Sequence, residues 1–460
     1  MATRAKDLAR VAVKRYRQRR VWDAQMHPRL GFFAPLPPAP TGVATYSAAV
    51  LEGLRRIGFF DRRRMDVVWP PEQKHEGLVP WYRLGVYSLG NNVVYHRDLY
   101  RFACQAPGLI VLHDLALDDF VRGMRVAGDP LGFVAEREAE RLAPRLRSDD
   151  VLRNEPLRMP WAAHVLRRSR GVIVHSEFGR RYIEELGART PVFVVPHPVV
   201  ESEADMEGSR RIAPSLRGPL EARGARTVVV APGDLNEAKQ LGALLAAIRM
   251  LPEDVHVVLV GRRIEGYDVD REVEASGLGS RVTLAPDVSD DTFRGWLCAA
   301  DIAVDLRFPH RGEVSGSLAR AMQAGLPTVV SATGTYLDVP DDLVQRVAPG
   351  PTDSDELAAT LRRLVDAPEL RSRMGAAARA FVEQLRASDA TAHGYAAAIE
   401  ATLALVRDPV RRAEARWAGA LADIGIGEDE LRRGYGVGYA RALEAFGDGA
   451  PAGAATPQTP

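Results

Sequence analysis

Cysteine is almost absent from this chain of 460 residues, which contains only Cys104 and Cys298. Two cysteines can neither build a disulfide framework nor supply a thiolate zinc site, so disulfide-rich and zinc-finger domains are excluded. Long apolar runs are missing too, since none approaches the roughly 20 residues that a membrane-spanning helix needs. The basic first residues lack the continuous apolar segment of a signal peptide, and we therefore expect a cytoplasmic protein.

A large excess of charge of either sign is also missing. The 61 Lys plus Arg residues are balanced by 60 Asp plus Glu residues, which leaves a net charge of +1. A protein dedicated to nucleic acid usually has a clear basic excess, so we expect no nucleic-acid partner. Apolar residues make up 46% of the chain and charged residues 26%, as in soluble globular proteins. The length predicts two large domains or more.

Lysine is the rare cation, because arginine supplies nearly all of the positive charge. The lysines are Lys6, Lys14, Lys74 and Lys239. Lys239 follows the loop APGDLNEA and precedes an apolar helix, so its ammonium would lie near free backbone N–H groups that also attract an anion. A lysine retained in such a loop favours a phosphate-binding role over that of a solvated surface side chain.

The chain alternates short apolar runs with helical segments in two separate series. Runs such as Leu109–Leu112, Val172–Val174, Thr227–Ala231 and Val255–Val260 lack polar alternation, which is typical of parallel strands buried on both faces. Two such series predict an α/β protein with two doubly wound, Rossmann-like domains that face a central cleft. The expected boundaries are a basic helix at 1–28, a first domain at 29–200, a linker at 201–225, a second domain at 226–385, further helices at 386–446 and a disordered tail at 447–460.

The basic helix expected at 1–28 has a short apolar face made of Leu8, Val11 and Ala12. Such a segment is either a solvated helix that leans on the main body or an amphipathic attachment to anionic lipid. We therefore keep open a peripheral position at the inner face of the membrane.

Polar residues follow the ends of the predicted strands, where ligands bind in parallel α/β sheets. In the first series they are Thr41-Gly42, Asn91-Asn92, His113-Asp114 and His175-Ser176; in the second they are Gly233, Asn236, Lys239, Gly261 to Arg263, and Arg307 to Ser317. Gly42 either allows a ligand to approach the backbone or simply serves the turn. His113 and His175 follow buried strands, so their imidazoles should protrude at the rim. Glu313 is either a reacting carboxylate or a helix N-terminal acid.

The sequence Asp268-Val269-Asp270 has the spacing of a metal–nucleotide motif. Because it follows Gly266 and precedes a helical stretch, we expect at least one of these residues to cap the helix. We expect no metal site there.

Taken together, these stretches resemble the retaining glycosyltransferases of the GT-B fold, family 4 in particular. The resemblance spans about residues 29–385, through PLPPAPTGVATYSAAVLEGL, LGNNVVYH, PGLIVLHDLAL, VIVHSEFGRRYIEELG, GDLNEAKQLGALLAAI, VTLAPDVSDDTFRGWLCAADIAVDLR and GEVSGSLARAMQAGLPTVVS. It implies that a nucleotide-diphosphate sugar binds the second domain and that a glycan or glycoconjugate acceptor binds the first. It also implies retention of configuration, no metal and no cofactor besides the donor.

The resemblance assigns roles to individual residues. The catalytic candidates are His113, near the donor sugar, and Glu313. The donor-binding candidates are Gly42, Gly233, Asn236, Lys239, Arg262, Arg263, Arg307, Arg311, Val314, Ser315, Gly316 and Ser317. The acceptor-side candidates are Thr41, Tyr46, Asn91, Asn92, Asp114 and His175.

The chain departs from the family in its pair of spaced glutamates. Alignment on Ala321-Met322 puts Arg320 at the second position and Gly312 at the first, one residue away from Glu313. The second glutamate normally holds the nucleotide ribose, and a guanidinium cannot accept a hydroxyl proton, although it can pair with a phosphate. The departure suggests either an active, divergent branch or a non-catalytic GT-B subunit of a glycosylation complex. An epimerase or a phosphorylase on a similar fold is a further alternative.

Overall fold

The computed structural model of the protein describes residues 30–69, 79 and 82–407. This part of the chain forms two six-stranded parallel sheets with helices on both faces, one sheet in each half. It confirms the predicted α/β architecture of two doubly wound domains. The predicted basic helix at 1–28, the tail at 447–460 and the end of the helical region expected at 386–446 lie outside the described residues.

The first domain has the strand order β2-β1-β3-β4-β5-β6. Its strands are β1 (Leu30–Phe33), β2 (Met65–Val68), β3 (Leu84–Leu89), β4 (Leu109–Leu112), β5 (Gly171–Val174) and β6 (Val192–Val194). Its helices are α1 (Gly42–Arg56), α2 (Phe59–Arg62), α3 (Val93–Gln105), α4 (Asp118–Val126), α5 (Pro130–Leu142), α6 (Asp149–Arg153), α7 (Ala163–Arg168) and α8 (Glu177–Glu185).

The second domain has the strand order β12-β11-β10-β7-β8-β9. Its strands are β7 (Thr227–Pro232), β8 (Val255–Gly261), β9 (Val282–Pro286), β10 (Ile302–Asp305), β11 (Thr328–Ser331) and β12 (Val344–Val347). The remaining helices are α9 (Glu203–Glu221), α10 (Leu241–Arg249), α11 (Val269–Ser276), α12 (Asp290–Ala299), α13 (Gly316–Ala324), α14 (Ser354–Asp366), α15 (Pro368–Ala387) and α16 (Ala390–Arg407).

The apolar strands are sandwiched between two layers of core in each domain. In β1, Phe33 packs into the core on one face of the sheet and Phe32 into the core on the other. In β7, Val229 and Val230 divide between two faces in the same way. This is why the runs show no polar alternation, since neither face of these strands meets water.

The prediction of an irregular linker over 201–225 is wrong, because most of that stretch is helix α9. Ser202 and Asp205 form a reciprocal capping box at its start, which satisfies two backbone N–H groups of the first turn. Ala213 and Leu216 then join the same core cluster as Trp296 of α12. The helix thus connects the two domains while packing against the second.

Helix α16 returns from the second domain to the first. The hydroxyl of Tyr395 lies 2.7 Å from that of Tyr46 on α1, and both side chains are buried. Glu400 accepts hydrogen bonds from Arg63 at 2.6 and 2.8 Å. The chain therefore crosses between the domains twice, through α9 and through α16. None of the helices in the described ranges is long and apolar enough to cross a membrane.

Candidate functional site

A cleft of about 690 Å³ lies between the carboxyl edges of the two sheets. Its walls come from loops after β1, β4, β7, β8 and β10 and from the first turns of α1 and α13. The volume lies within the range of small-ligand sites, and the position is the one where open α/β sheets bind ligands. The predicted site residues that line it are Thr41, Gly42, Asp114, Gly233, Asn236, Lys239, Arg262, Arg307, Arg311, Glu313, Gly316 and Ser317.

Two helix N-termini contribute to the cleft, one from each domain. Thr41 caps α1 by accepting a hydrogen bond from the backbone N–H of Val43 at 3.4 Å, and Ser315 caps α13 by accepting from Leu318 at 3.1 Å. The first helical residues, Gly42 and Gly316, are exposed. A helix N-terminus carries free N–H groups and a partial positive charge, so both ends favour an anionic ligand.

Neither Gly42 nor Gly316 is required by its own neighbours. A Cβ atom built on either residue would meet no atom within 4 Å. Neither residue is among the glycines with positive φ. The fold therefore gives no reason for glycine at these two positions, whereas a ligand that touches the backbone would.

Each cation that lines the cleft is already paired with a carboxylate. The pairs are Lys239 with Asp305, Arg262 with Asp234, Arg307 with Glu313, Arg311 with Asp118, and Arg320 with Glu201. The positive side chains thus add little net charge of their own. The binding of a dianion in this cleft would therefore depend on the helix N-termini and on those N–H groups of the guanidinium groups that are still available.

Lys239 lies at the floor of the cleft and is 6% exposed. Its ammonium donates to the carbonyl of Pro232 at 2.9 Å and to the Asp305 carboxylate. Asp305 is fully buried and also accepts from the hydroxyls of Ser315 and Tyr336. Burial lowers the pKa of Lys239, against the opposing effect of Asp305. The lysine therefore anchors this floor, which the sequence alone did not indicate.

Glu313 is held as a carboxylate. It accepts from Arg307 and, at 2.9 Å, from the backbone N–H of Arg311. Burial alone would raise the pKa of Glu313, but Arg307 and His310 outweigh it and lower that pKa to about 2. At neutral pH this side chain carries no proton to donate, so it cannot act as a general acid in the cleft.

Asp114 is the carboxyl group in the cleft whose charge changes near neutral pH. Its Oδ2 accepts from the backbone N–H of Asn91 at 2.9 Å. Burial, reinforced by the neighbouring Glu313 carboxylate, raises the pKa of Asp114 to about 7 against the opposing effects of Asn91, Arg311 and Arg307. A carboxyl group tuned to this range in a cleft is a candidate for hydrogen bonding to a reacting hydroxyl.

The expectation that His113 and His175 protrude at the rim is wrong. The His113 ring packs against Tyr46 and His175, with ring centroids 4.6 and 5.5 Å away, and neither histidine lines the cleft. The Nε2 atoms of both are inaccessible and have no partner among the described residues. Burial lowers the pKa of His113 well below its usual range, so its imidazole is neutral. Tyr46 of α1 and His197 after β6 cover the two rings. Because these residues come from other elements, the sequence around one strand end could not predict the burial.

Several other predicted residues have structural roles outside the cleft. Tyr46 is fully buried, and Arg263 points outward to pair with Asp270. Asn92 caps α3 through Val94, while the Asn91 side chain bonds to Asp118, Asp119 and the N–H of Phe120. Ser315 and Val314 line a separate cavity of about 200 Å³ behind α13. Short polar side chains at strand ends serve helix caps and turns as readily as ligands, so a strand end alone does not tell these roles apart.

Arg320 lies in the wall of the cleft. Its Nε donates to Glu201 at 2.7 Å, and its guanidinium carbon lies 5.5 Å from the centre of the Phe293 ring. Glu201 is buried and also pairs with Arg294 at 2.7 Å. The wall thus carries an ordered guanidinium at this point, and such a group donates hydrogen bonds but cannot accept them.

The carboxylates that organise the cleft were missed by the sequence analysis: Asp118, Glu201, Asp234 and Asp305. Asp305 ends strand β10 and so lies on the same rim as the residues that were identified. Its position at the strand end could have identified it as a rim residue. The residue it pairs with, Lys239, is 66 positions away in the sequence, so the pairing could not be predicted.

The predicted helix-capping role in the Asp268–Asp270 stretch is confirmed. Asp268 caps α11 by accepting from the N–H of Arg271 at 3.1 Å. Across the residues that the structure describes, no group of three or more His, Cys, Asp or Glu side chains is arranged to hold a metal ion.

Known proteins resemble this chain in two ways: in the sequence of its second domain and in its overall fold. Residues 213–381, a little over a third of the chain, match the model of the family described as Glycosyl transferases group 1. The chain is 30% identical over 155 residues to the MMP alpha-(1->4)-mannosyltransferase of Mycolicibacterium hassiacum, covering 33% of this chain and 36% of that protein. It is 34% identical over 127 residues to the D-inositol 3-phosphate glycosyltransferase of Streptomyces griseus, covering 27% of this chain and 26% of that protein. The chain thus spans between a quarter and somewhat over a third of the length of these curated relatives.

A solved structure extends the likeness to both domains. Anabaena Alr3699/HepE in complex with UDP and glucose is similar with a TM-score of 0.52 at 17% identity, covering 78% of this chain and 95% of that one. At this identity the likeness concerns the fold alone. The described residues have the GT-B fold, and residues 213–381 carry the sequence pattern of group 1 glycosyltransferases.

Proposed function

We propose that the protein transfers a sugar from a nucleotide-diphosphate sugar to an acceptor hydroxyl in the cleft between its domains. The observation that carries the proposal is the pair of exposed glycines, Gly42 and Gly316, at two helix N-termini in that cleft. The match of residues 213–381 to group 1 glycosyltransferases supports it, as do the two curated relatives with transferase names.

The diphosphate of the donor binds at the first turn of α13 in this proposal. The N–H groups of Gly316 and Ser317 donate to its oxygens, and Gly42 of the first domain approaches it from the opposite wall. Arg262 and Arg311 are the partly exposed guanidinium groups on that path. Lys239 and Asp305 support the floor beneath.

Transfer breaks the bond between the anomeric carbon and the donor phosphate, and the electron pair stays on the diphosphate. The acceptor oxygen bonds to the same face of the anomeric carbon, which retains the configuration. A phosphate oxygen of the leaving group takes the acceptor's proton. The helix N-terminus and the fixed guanidinium groups stabilise the departing charge, so we propose that no metal and no further cofactor take part.

The acceptor approaches from the first domain. The ionised form of Asp114 accepts a hydrogen bond from a second hydroxyl of the acceptor and so orients the reacting hydroxyl, whose proton goes to the phosphate. Thr41 lies on the same wall. The acceptor is a glycan, a lipid-linked sugar or another glycoconjugate. The protein acts in the cytoplasm, either free or at the inner face of the membrane through the basic residues 1–28.

A donor-turnover experiment tests the proposal without knowledge of the acceptor. The protein is incubated with UDP-, GDP-, ADP-, dTDP- and CDP-sugars, with and without EDTA, and proton NMR follows the release of the sugar to water or to an added acceptor mixture. We expect one nucleotide class to be turned over, to give the anomer of the donor first, and to be unaffected by EDTA.

A matched pair of variants locates the reaction. Gly316→Leu fills the cleft at the start of α13, whereas Gly208→Leu places the same side chain at an exposed glycine of α9 with equal room. We expect only Gly316→Leu to abolish turnover. Binding of a donor without any turnover would instead favour the non-catalytic subunit, and a change in the donor sugar itself without transfer would favour an epimerase.

A further inference from the structure

The loop that carries Arg307, Arg311 and Glu313 belongs to the second domain but is fastened by the first. The backbone N–H groups of Leu115 and Ala116 both donate to the carbonyl of Arg311, at 3.1 and 3.0 Å. These contacts join the loop after β4 to the loop after β10. The charged wall of the cleft therefore depends on the position of the first domain.

A second set of contacts holds the same loop from the side of helix α6. Asn154, which directly follows α6, is fully buried. Its Oδ1 accepts from the backbone N–H of His310 at 2.6 Å, and its Nδ2 donates to the hydroxyl of Thr333 at 2.7 Å. One amide thus satisfies a donor and an acceptor of the other domain at once.

Asp150 completes the contact from the same turn of chain. Its two carboxylate oxygens accept from the hydroxyl of Thr333 and the N–H of Gly334, both at 2.8 Å. Asn154 also donates to the carbonyl of Asp150 at 2.8 Å. We call Asp150 and Asn154, with His310, Thr333 and Gly334, the interdomain clamp.

The clamp is connected to the cleft through short polar contacts. The Nδ1 of His310 accepts from the N–H of Gly312 at 2.7 Å, and its Nε2 lies 3.2 Å from the hydroxyl of Thr335. That hydroxyl donates to the backbone carbonyl of Glu313 at 2.8 Å. A shift of Asn154 would therefore be passed to Glu313 through one buried ring and one hydroxyl.

We infer that Asn154 is a positioning residue for the transfer reaction: it sets the Arg307–Glu313 loop into its working arrangement when the two domains are together. The inference rests on the proposed function, since it assigns the loop to the donor. Asn154 lies outside the cleft. Of the groups proposed to bind the diphosphate, only Arg311 lies on the loop that Asn154 holds, whereas Arg262 and the helix end at Gly316 are not among its contacts and keep their places when it is lost. Nucleotide binding and transfer should therefore respond differently to its loss.

The test compares Asn154→Ala with Leu152→Ala, an exposed position two residues earlier, on α6. UDP, GDP and ADP are titrated separately by calorimetry, donor turnover is measured, and hydrogen exchange is followed in peptides covering 307–316. In Asn154→Ala we expect kcat to fall by roughly 10- to 100-fold, the loss typical of a misplaced reacting geometry. We expect Kd for the nucleoside diphosphate to stay within about threefold and exchange in 307–316 to be about tenfold faster, as hydrogen bonds are lost locally. Leu152→Ala should match the wild type.

Equal kcat and equal exchange in Asn154→Ala and the wild type would overturn the inference. An equal loss of kcat and of nucleotide affinity would also overturn it, since that indicates a general structural role. If Asn154→Ala does not fold, Thr333→Ala, which deletes one hydroxyl of the clamp, must show the same selective loss. A wild-type protein that turns over no donor refutes the proposed function, while the exchange measurement still decides whether the clamp holds the loop.

Discussion

Replacing Lys239 tests which of two roles this lysine has: support of the cleft floor, or service only as a phosphate ligand. Its ammonium pairs with Asp305 in a site where the two side chains are 6% and 0% exposed. Lys239→Met keeps a similar volume but leaves the Asp305 carboxylate without its cation. Removing one partner of a buried ion pair costs about 3–5 kcal/mol, because the remaining charge is buried and uncompensated.

The expected change in melting temperature follows from that cost. For a unit the size of the second domain, each kcal/mol lowers Tm by about 2–4 °C. Lys239→Met should therefore melt about 6–20 °C below the wild type in the absence of any ligand. Circular dichroism melting curves of the unliganded proteins measure this directly.

The double variant Lys239→Met/Asp305→Asn provides the internal control. With both charges gone, the two substitutions should not add, and the double variant should be at least about 1 kcal/mol more stable than the sum of the two single losses predicts. Tm of unliganded Lys239→Met within 2 °C of the wild type, about 1 kcal/mol or less, combined with a lost response to nucleotide, would refute the reasoning. It would mean that the lysine is a free phosphate ligand, as its place in the sequence suggested.

Three further predictions concern single residues of the cleft. Gly42→Ala should leave the unliganded Tm unchanged or slightly higher, since Ala favours a helix by up to about 1 kcal/mol, yet calorimetry should show weaker donor binding; an unaffected Kd would place the donor elsewhere. The kcat of the wild type should rise with pH through a midpoint near 7, because the carboxylate of Asp114 is needed and burial raises its pKa to about 7; a midpoint that persists in Asp114→Asn would contradict this. Glu313 has its folded pKa lowered from 4.5 to about 2, so it stabilises the fold above pH 4.5 and loses that contribution as the pH falls towards 2. The urea midpoints of the wild type and Glu313→Gln should therefore converge between pH 6 and pH 2.5, and a constant difference would be evidence against the pairing with Arg307.

The strands that the sequence revealed are those buried on both faces. Leu109–Leu112 and Val257–Val260 are uninterrupted apolar runs, and the structure places the strands that contain them in the interior of a sheet. Strand β3 was not identified by its pattern because Gly85 and Ser88 interrupt it, and β12 because Gln345 and Arg346 make an edge strand look polar. A run of apolar residues alone therefore predicts a strand, whereas a fully buried strand such as β3 is missed when Gly and Ser interrupt the run.

Helix α9 shows the opposite error. Its many charged residues and its internal Pro214 and Pro219 hid an apolar stripe that packs on α12. The capping box of Ser202 and Asp205 was the local signal for the start of this helix. Charge content alone therefore mispredicts this segment, whereas its capping residues indicate a helix.

The sequence predicted which positions lie at the rim of the candidate site, but not which charged side chains pair with each other there. Strand order brings Gly42, Lys239 and Glu313 together, and a series of strand ends is enough to infer that. The partner of Lys239 is 66 residues away and that of Arg320 is 119 residues away. Pairings over such separations depend on the folded geometry, so a single sequence could not tell a free cation from a neutralised one.

The most direct test of the central claim is the binding of a donor to the cleft. A thermal-shift panel of UDP-, GDP-, ADP-, dTDP- and CDP-sugars is run on the wild type, Gly316→Leu and Gly208→Leu. At 100 times its Kd a ligand stabilises the folded protein by about 2.7 kcal/mol, and we predict that one nucleotide class does so in the wild type and in Gly208→Leu but not in Gly316→Leu. Stabilisation that persists in Gly316→Leu, or no stabilisation of the wild type by any of the donors, would contradict the account.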